Sequence, residues 1–339
     1  MEPRLRICAE SMTALRRVAP AILLVVLAPI VAEFLLGDFS IREIALVLAL
    51  LPLYGGGALL IREIVRRTGR GWPAIVMLGL AYSLLEEGFL TQSLFNPNYV
   101  GLRLLDYGYV PALGTSLNWC LYVLSIHVVW SVATPILIAE GIAAERRTEP
   151  WLRIPGLIVT TLLFVLGCVS TTVFSLQASP FVATAPQFAS AAALILAAIA
   201  SAFLAGRRDD RLVRAATAPR PAVVFAASLA MAIAFMVADQ RGYAGVPPIA
   251  GLLARVAIET AAAIALLRWS RARDWRSTHY LAIASATTLT YAAFGALAFL
   301  RGHTHLGKPT NAVDVAGQIA LASLVFLAIA YGSRRSRPA

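Results

Sequence analysis

Lysine is almost missing from this chain: Lys308 is the single one among 29 basic residues. Acidic residues are also scarce, 18 in 339, and charged residues of all kinds reach only 14%, against about 25% in soluble domains. So few charges beside 59% hydrophobic residues exclude an ordinary water-facing domain and a disordered chain. Cys8, Cys120 and Cys168 are the only cysteines. They form no CxxC or other metal spacing and cannot all pair, which excludes a disulfide framework and a cysteine zinc site. The HExxH, GxSxG, Walker and dinucleotide signatures are missing, so zincin, serine-hydrolase, NTPase and Rossmann readings lose their usual support. The net charge of +11 is scattered as short arginine runs between apolar segments, with no clustered basic face for nucleic acid. No repeat relates the two halves, which weighs against an inverted-repeat transporter.

What the chain has instead is long apolar runs, near 18–37, 42–61, 73–94, 117–140, 154–175, 183–205, 222–238, 248–268, 279–300 and 312–332. Each is about the length of a tilted bilayer crossing. The first follows Arg16 and Arg17 but continues to Leu36, too far for a secretory h-region. The pattern predicts an all-α polytopic bundle of about ten membrane helices in a lipid bilayer. Ten is even, so both termini share a side. That side carries Arg62, Arg66, Arg67 and Arg70, then Arg146, Arg147 and Arg153, then Arg268, Arg271, Arg273 and Arg276, among others. The opposite side has only Arg42, Arg103, Arg241, Arg301 and Lys308. By the positive-inside rule both termini are cytoplasmic. The longest connections, 96–117 and 206–221, are too short to bury a core, so residues 1–339 are expected to form a single integral membrane domain.

Within the second run, Pro52 and the triplet Gly55, Gly56, Gly57 predict close approach of a neighbouring helix or a ligand. Asn96-Pro97-Asn98 ends the third run. The following stretch, with Tyr99, Tyr107, Tyr109 and Trp119, suits the outer interface, either as an anchor or as a cap over what lies beneath.

Two adjacent carboxylates, Glu86 and Glu87, sit inside the third run, where an ionised side chain costs at least about 2.5–3.5 kcal/mol. At about 1.5 Å per residue they lie about 12–14 Å below the outer end of that helix, and His127 on the fourth lies at about 15 Å. The depths agree, so carboxylate and imidazole can meet. Adjacent helical residues diverge by about 100°, so only one glutamate need face His127. Carboxylate and imidazole are zinc ligands, and a second carboxylate can serve as general base toward water. Catalytic zinc usually takes three protein ligands. His303 and His305, in the outer loop after the ninth helix, are the candidates for completing the set of Glu87 and His127, whereas His279 lies at the cytoplasmic end. A structural histidine bonded across helices is the alternative for His127. Arg255 and Glu259, spaced i, i+4, can pair with each other, or Arg255 can be the counter-ion of Glu86 or Glu87. Asp314 beside Asn311 reads as a helix cap.

At EEGFLT, residues 86–91, and VLSIH, residues 123–127, the chain resembles the CPBP family of CAAX-processing and bacteriocin-processing intramembrane metalloproteases. Thr91 stands where that family carries arginine and Val123 where it carries phenylalanine, and no third histidine motif matches. The resemblance implies Glu86 or Glu87 activating water, His127 binding a divalent metal such as zinc, and a membrane-embedded peptide or lipidated substrate. The strings 54–73 and 86–99 also resemble uncharacterised multi-pass proteins of high-GC bacteria, which implies residence in the bacterial inner membrane. A proton- or ion-coupled solute transporter using Glu86, Glu87, Arg255 and Glu259 as a relay is the rival, and a non-catalytic scaffold with paired charges is a third.

Overall fold

A computed structural model describes residues 18–204, 217–238 and 245–335. The sequence-level expectations for Cys8 and for the arginines at 4, 6, 16, 17, 207, 208, 211, 214, 241 and 337 lie outside these residues.

Eight helices are long and apolar enough to cross a membrane: α2 (Leu46–Arg67), α3 (Trp72–Leu90), α4 (Leu117–Ile142), α5 (Ile154–Ala178), α6 (Ala185–Leu204), α8 (Pro248–Trp269), α9 (Ser277–Leu300) and α10 (Ala312–Arg335). Two shorter apolar helices, α1 (Val18–Phe34) and α7 (Pro221–Val237), accompany them. The chain is thus a helical, multi-pass membrane protein. Its one sheet among the described residues is a small antiparallel ribbon, β1 (Tyr109–Val110) with β2 (Thr115–Ser116), in the loop between α3 and α4. Several helices open on proline in their first turn, where the missing N–H would have had no helical partner anyway. Ser116 caps α4 by accepting from the Trp119 N–H at 3.2 Å.

Burial separates a centre from a rim. The membrane-length windows of α2, α3, α4 and α9 are 56–61% buried, whereas those of α5, α6 and α8 are 11–17% buried and present apolar residues outward, as lipid-facing helices must. α3 packs on α4 and α6, and α9 packs on α4, α7 and α10. Trp130 of α4 stacks on Tyr291 of α9 at 4.3 Å between centroids and donates to Thr287 O at 2.8 Å, so α4 is fixed to the centre on its far side.

Four helices are widened locally into π-turns: Ile30–Phe34 in α1, Leu51–Gly55 in α2, Glu86–Leu90 in α3 and His127–Ala133 in α4. Pro29 precedes the first, Pro52 lies in the second and Pro135 follows the fourth. Proline removes an N–H and crowds the carbonyl one turn back, which for Pro135 is Ser131, inside the fourth turn, where an extra residue relieves the conflict. The α3 turn carries Gly88 instead. Just beyond α3, Gln92 adopts φ +57°, a left-handed conformation that stops the helix short of the expected residue 94.

The glycine triplet serves close packing. A Cβ on Gly55 would meet Val25 O of α1 at 2.4 Å, and one on Gly57 would meet the Tyr82 ring at 2.5 Å. Gly57→Ala is therefore expected to displace Tyr82 and lower stability by about 1–3 kcal/mol, read as a fall in the Tm of the detergent-purified protein.

α2 runs to Arg67, six residues past its expected end, because the arginines there are paired inside the protein. Arg66 grips Glu140 of α4 with two bonds of 2.7 Å, and Arg62 adds a third at 3.1 Å. Arg62 also donates to Glu63 at 2.7 Å and lies 3.4 Å above the Trp151 ring. Glu63 in turn accepts the N–H groups of Trp151 and Leu152. The network ties α2 to α4 and to the loop before α5, which holds the C-terminal ends of α2 and α4 in register.

Candidate metal centre

Each π-turn described above carries a member of one polar cluster: Glu33 on α1, Tyr54 on α2, Glu86 and Glu87 on α3, and His127 on α4. An inserted residue shifts the helical register by about 100°. Such turns recur at functional sites for that reason.

His127 lies between the two carboxylates. Its Nε2 is 2.8 Å from Glu87 Oε1, and its Nδ1 is 3.4 Å from Glu86 Oε2. The expectation that only one glutamate faces the imidazole is therefore corrected: the ring offers a nitrogen to each. All three side chains are 2–6% exposed. Ser131, one turn along α4, sits 3.0 Å from Nδ1 and fixes the ring. Tyr54 stacks beside the imidazole at 6.1 Å, and Tyr82 meets it edge-on at 6.4 Å.

The glutamates are held differently. Glu87 accepts from Thr91 Oγ1 at 3.0 Å and from Ser93 Oγ, which itself accepts from Trp119 Nε1 at 3.2 Å. Together with His127 these donors leave the Glu87 carboxylate little rotational freedom. Glu86 has side-chain contact with Tyr54 and Tyr82, yet its Oε2 and the Tyr82 hydroxyl are buried with no hydrogen-bond partner among the described residues. Buried polar atoms left so are uncommon.

Glu86, Glu87 and His127 each present one ligand atom within 4.8 Å of the others. Two ligands about 2.0–2.2 Å from a tetrahedral zinc ion lie about 3.3–3.6 Å apart, so the group could hold a divalent cation if it closed by about an ångström. His303 and His305 do not join them. Both are exposed in the loop between α9 and α10, where His303 Nδ1 lies 3.0 Å from Thr304 O and the His305 N–H donates to Gly37 O. That loop folds over the start of α2 instead, with Lys308 on Glu43 at 2.5 Å. His279 stacks on Trp275 at 4.6 Å, apart from the group.

The other buried charges have their own partners. Arg255 is fully buried, donates to Asn118 O at 2.7 Å and lies over the Tyr122 ring. Glu259 accepts from Ser125 Oγ at 2.6 Å. Asp314 accepts the Asn311 N–H at 2.8 Å, as a cap does, and in addition binds Arg42 through two bonds of 2.8 Å.

A model of an uncharacterized membrane protein family matches residues 22–334, nearly the whole chain. The chain belongs to that family. No curated protein and no solved structure matches it. The matched region of this family member includes every residue of the cluster, from Glu33 to His127.

Sequence reasoning missed Tyr54, Tyr82, Thr91, Ser93 and Ser131. A helical signal existed for two of them, since Thr91 and Ser131 follow Glu87 and His127 by four residues and so share their faces. Tyr54 could have been suspected from its place before three glycines.

Proposed function

We propose that this membrane protein is a divalent-metal-dependent hydrolase acting within the bilayer, with a core site of Glu86, Glu87 and His127. The observation that supports this reading most is the burial of two carboxylates and an imidazole in mutual contact, with one carboxylate oxygen that accepts no hydrogen bond among the described residues. Among the described residues, His127 is the sole basic side chain ion-paired with Glu86 and Glu87, so the cluster carries an excess of acid groups that a cation offsets.

Glu87 and His127 are the ligands in this reading, because each is oriented by a second hydrogen bond, from Thr91 and Ser93 or to Ser131. A bound cation supplies Lewis-acid polarisation of a carbonyl and of water. Glu86 Oε2 takes up the proton lost by water and returns it to the leaving group. The rings of Tyr54 and Tyr82 wall the imidazole and keep bulk water away. The CPBP intramembrane proteases offer the nearest functional analogy, and Thr91 then fills the place of their arginine by bonding Glu87 directly. A membrane-embedded peptide or a lipidated peptide is the matching substrate class. In this reading both termini face the cytoplasm and the chain crosses a bacterial inner membrane ten times, a topology that the arginine distribution supports.

The direct Nε2–Glu87 bond of 2.8 Å also suits a metal-free proton relay, as a coupled transporter would use. Reconstituted vesicles separate the two. The hydrolase reading expects cleavage of a lipidated or membrane-embedded test peptide, abolished by chelator and by Glu86→Gln. Proton-linked solute uptake that survives chelation and is lost in the same variant contradicts it.

A further inference from the structure

Thr91 and Ser93 both donate to the same oxygen of Glu87, Oε2. In a continuing helix, residues two apart lie about 200° around the axis from each other, on opposite sides, and could not share one acceptor. The residue between them resolves this. Gln92 adopts φ +57°, which folds the chain back on itself. The Ser93 N–H then donates to Thr91 Oγ1 at 3.3 Å, and the N–H groups of Phe95 and Asn96 both return to Gln92 O, at 3.0 and 2.9 Å. Glycine and asparagine take up this left-handed conformation readily, whereas glutamine persists in it only where its surroundings hold it there.

The holding contact belongs to the Gln92 side chain. It is 5% exposed, and its Oε1 accepts the Ala183 N–H at 2.7 Å, in the connection between α5 and α6. That oxygen also satisfies a buried backbone donor, which makes the bond costly to lose. Two further bonds join the same parts of the chain. Ser175 Oγ of α5 donates to Thr91 O at 3.1 Å, and Asn96 Nδ2 donates to Ser179 Oγ at 3.0 Å. The donors that orient Glu87 are thus fastened by lipid-side elements, beyond the point where α3 has ended.

We propose that Gln92 is a positioning residue of the metal centre: its amide, anchored on Ala183, holds the left-handed turn that aims Thr91 and Ser93 at Glu87. This rests on the metal reading above. Its distinctive feature is the route, because Gln92 reaches the metal only through those two hydroxyls.

The test is titration of detergent-purified full-length protein with Zn²⁺, and with Co²⁺ for its ligand-field absorption spectrum. Gln92→Met keeps the bulk of the side chain and removes the acceptor. It is expected to bind Zn²⁺ about 10-fold more weakly, the low end for groups that orient ligands, with an altered Co²⁺ spectrum. In a Thr91→Val/Ser93→Ala background the same substitution is expected to change neither. Gln92→Asn keeps the left-handed preference but is too short for Ala183, so it is expected to fold and to weaken binding by a smaller factor. A structural role would lower Tm without moving the spectrum. Wild-type affinity and spectrum in Gln92→Met, or in Gln92→Asn should the first variant not purify, overturn the proposal while leaving the metal reading intact. So does an equal loss from Gln92→Met in the background without the hydroxyls. A wild type that binds neither ion overturns the metal reading and this proposal with it.

Discussion

Glu140→Ala is expected to produce the largest loss of stability of any single substitution considered. The Glu140 carboxylate receives three bonds from Arg62 and Arg66, whose guanidinium groups are almost wholly enclosed. Removing it leaves those cations facing each other across an empty space. Glu63 retains Arg62, but Arg66 keeps only the Arg70 carbonyl and a distant Trp72 ring. Breaking a buried pair from one side costs about 3–5 kcal/mol, most of it the desolvation of the stranded charge. Thermal unfolding in detergent should register this as a large fall in Tm or as failure to purify a monodisperse protein. Arg103→Ala is the control, since Arg103 and Asp106 pair at 2.5 Å on an exposed loop with side chains 76% and 52% accessible. Exposed pairs are worth about 0–1 kcal/mol, so its Tm should barely move. Equal losses in the two variants would refute the buried-network account.

The second large effect has two opposite signs. Glu86→Gln keeps the size of the side chain and removes its charge from a cluster that holds an excess of acid groups. In the metal-free protein that change relieves repulsion, so Tm is expected to stay level or rise. Zn²⁺ affinity is expected to fall by about 10–100-fold, the range for groups that stand beside the ligands, and cleavage of the test peptide to be lost. His127→Ala should lose the metal more completely and also lose stability, because it removes the partner of Glu87 and leaves a cavity beside Tyr54 and Tyr82. Stabilisation paired with loss of binding is the mark of a functional site, where local stability is given up for chemistry. If Glu86→Gln destabilises the metal-free protein as His127→Ala does, the two glutamates are ordinary packing residues.

The multi-pass helical character was legible in hydropathy alone, because a bilayer leaves the backbone few options besides helices. The meeting of His127 with Glu86–Glu87 was legible too, from depth matching across the loop between α3 and α4. The sequence hid the π-turns. Periodicity arguments assume 3.6 residues per turn throughout, and the four widened turns lie where that assumption fails. Both glutamates reach His127 because its ring lies between them and turns a different nitrogen to each, which periodicity does not show. His303 and His305 were drawn in by ligand arithmetic and by side of the membrane, whereas the loop that carries them is fastened by backbone and ion-pair contacts around Gly37 and Glu43. Arginines 62 and 66 read as topology markers, and their second role as ion-pair partners depended on Glu140, 74 or more residues away.

Metal content of the purified wild-type protein, measured by inductively coupled plasma mass spectrometry beside Glu87→Gln and His127→Ala, tests the central claim most directly. The account predicts about one divalent ion per chain after loading and buffer exchange in the wild type, and loss of that ion in both variants while helical content by circular dichroism is retained. A folded wild type that retains no divalent ion, or variants that retain as much as the wild type, would contradict it.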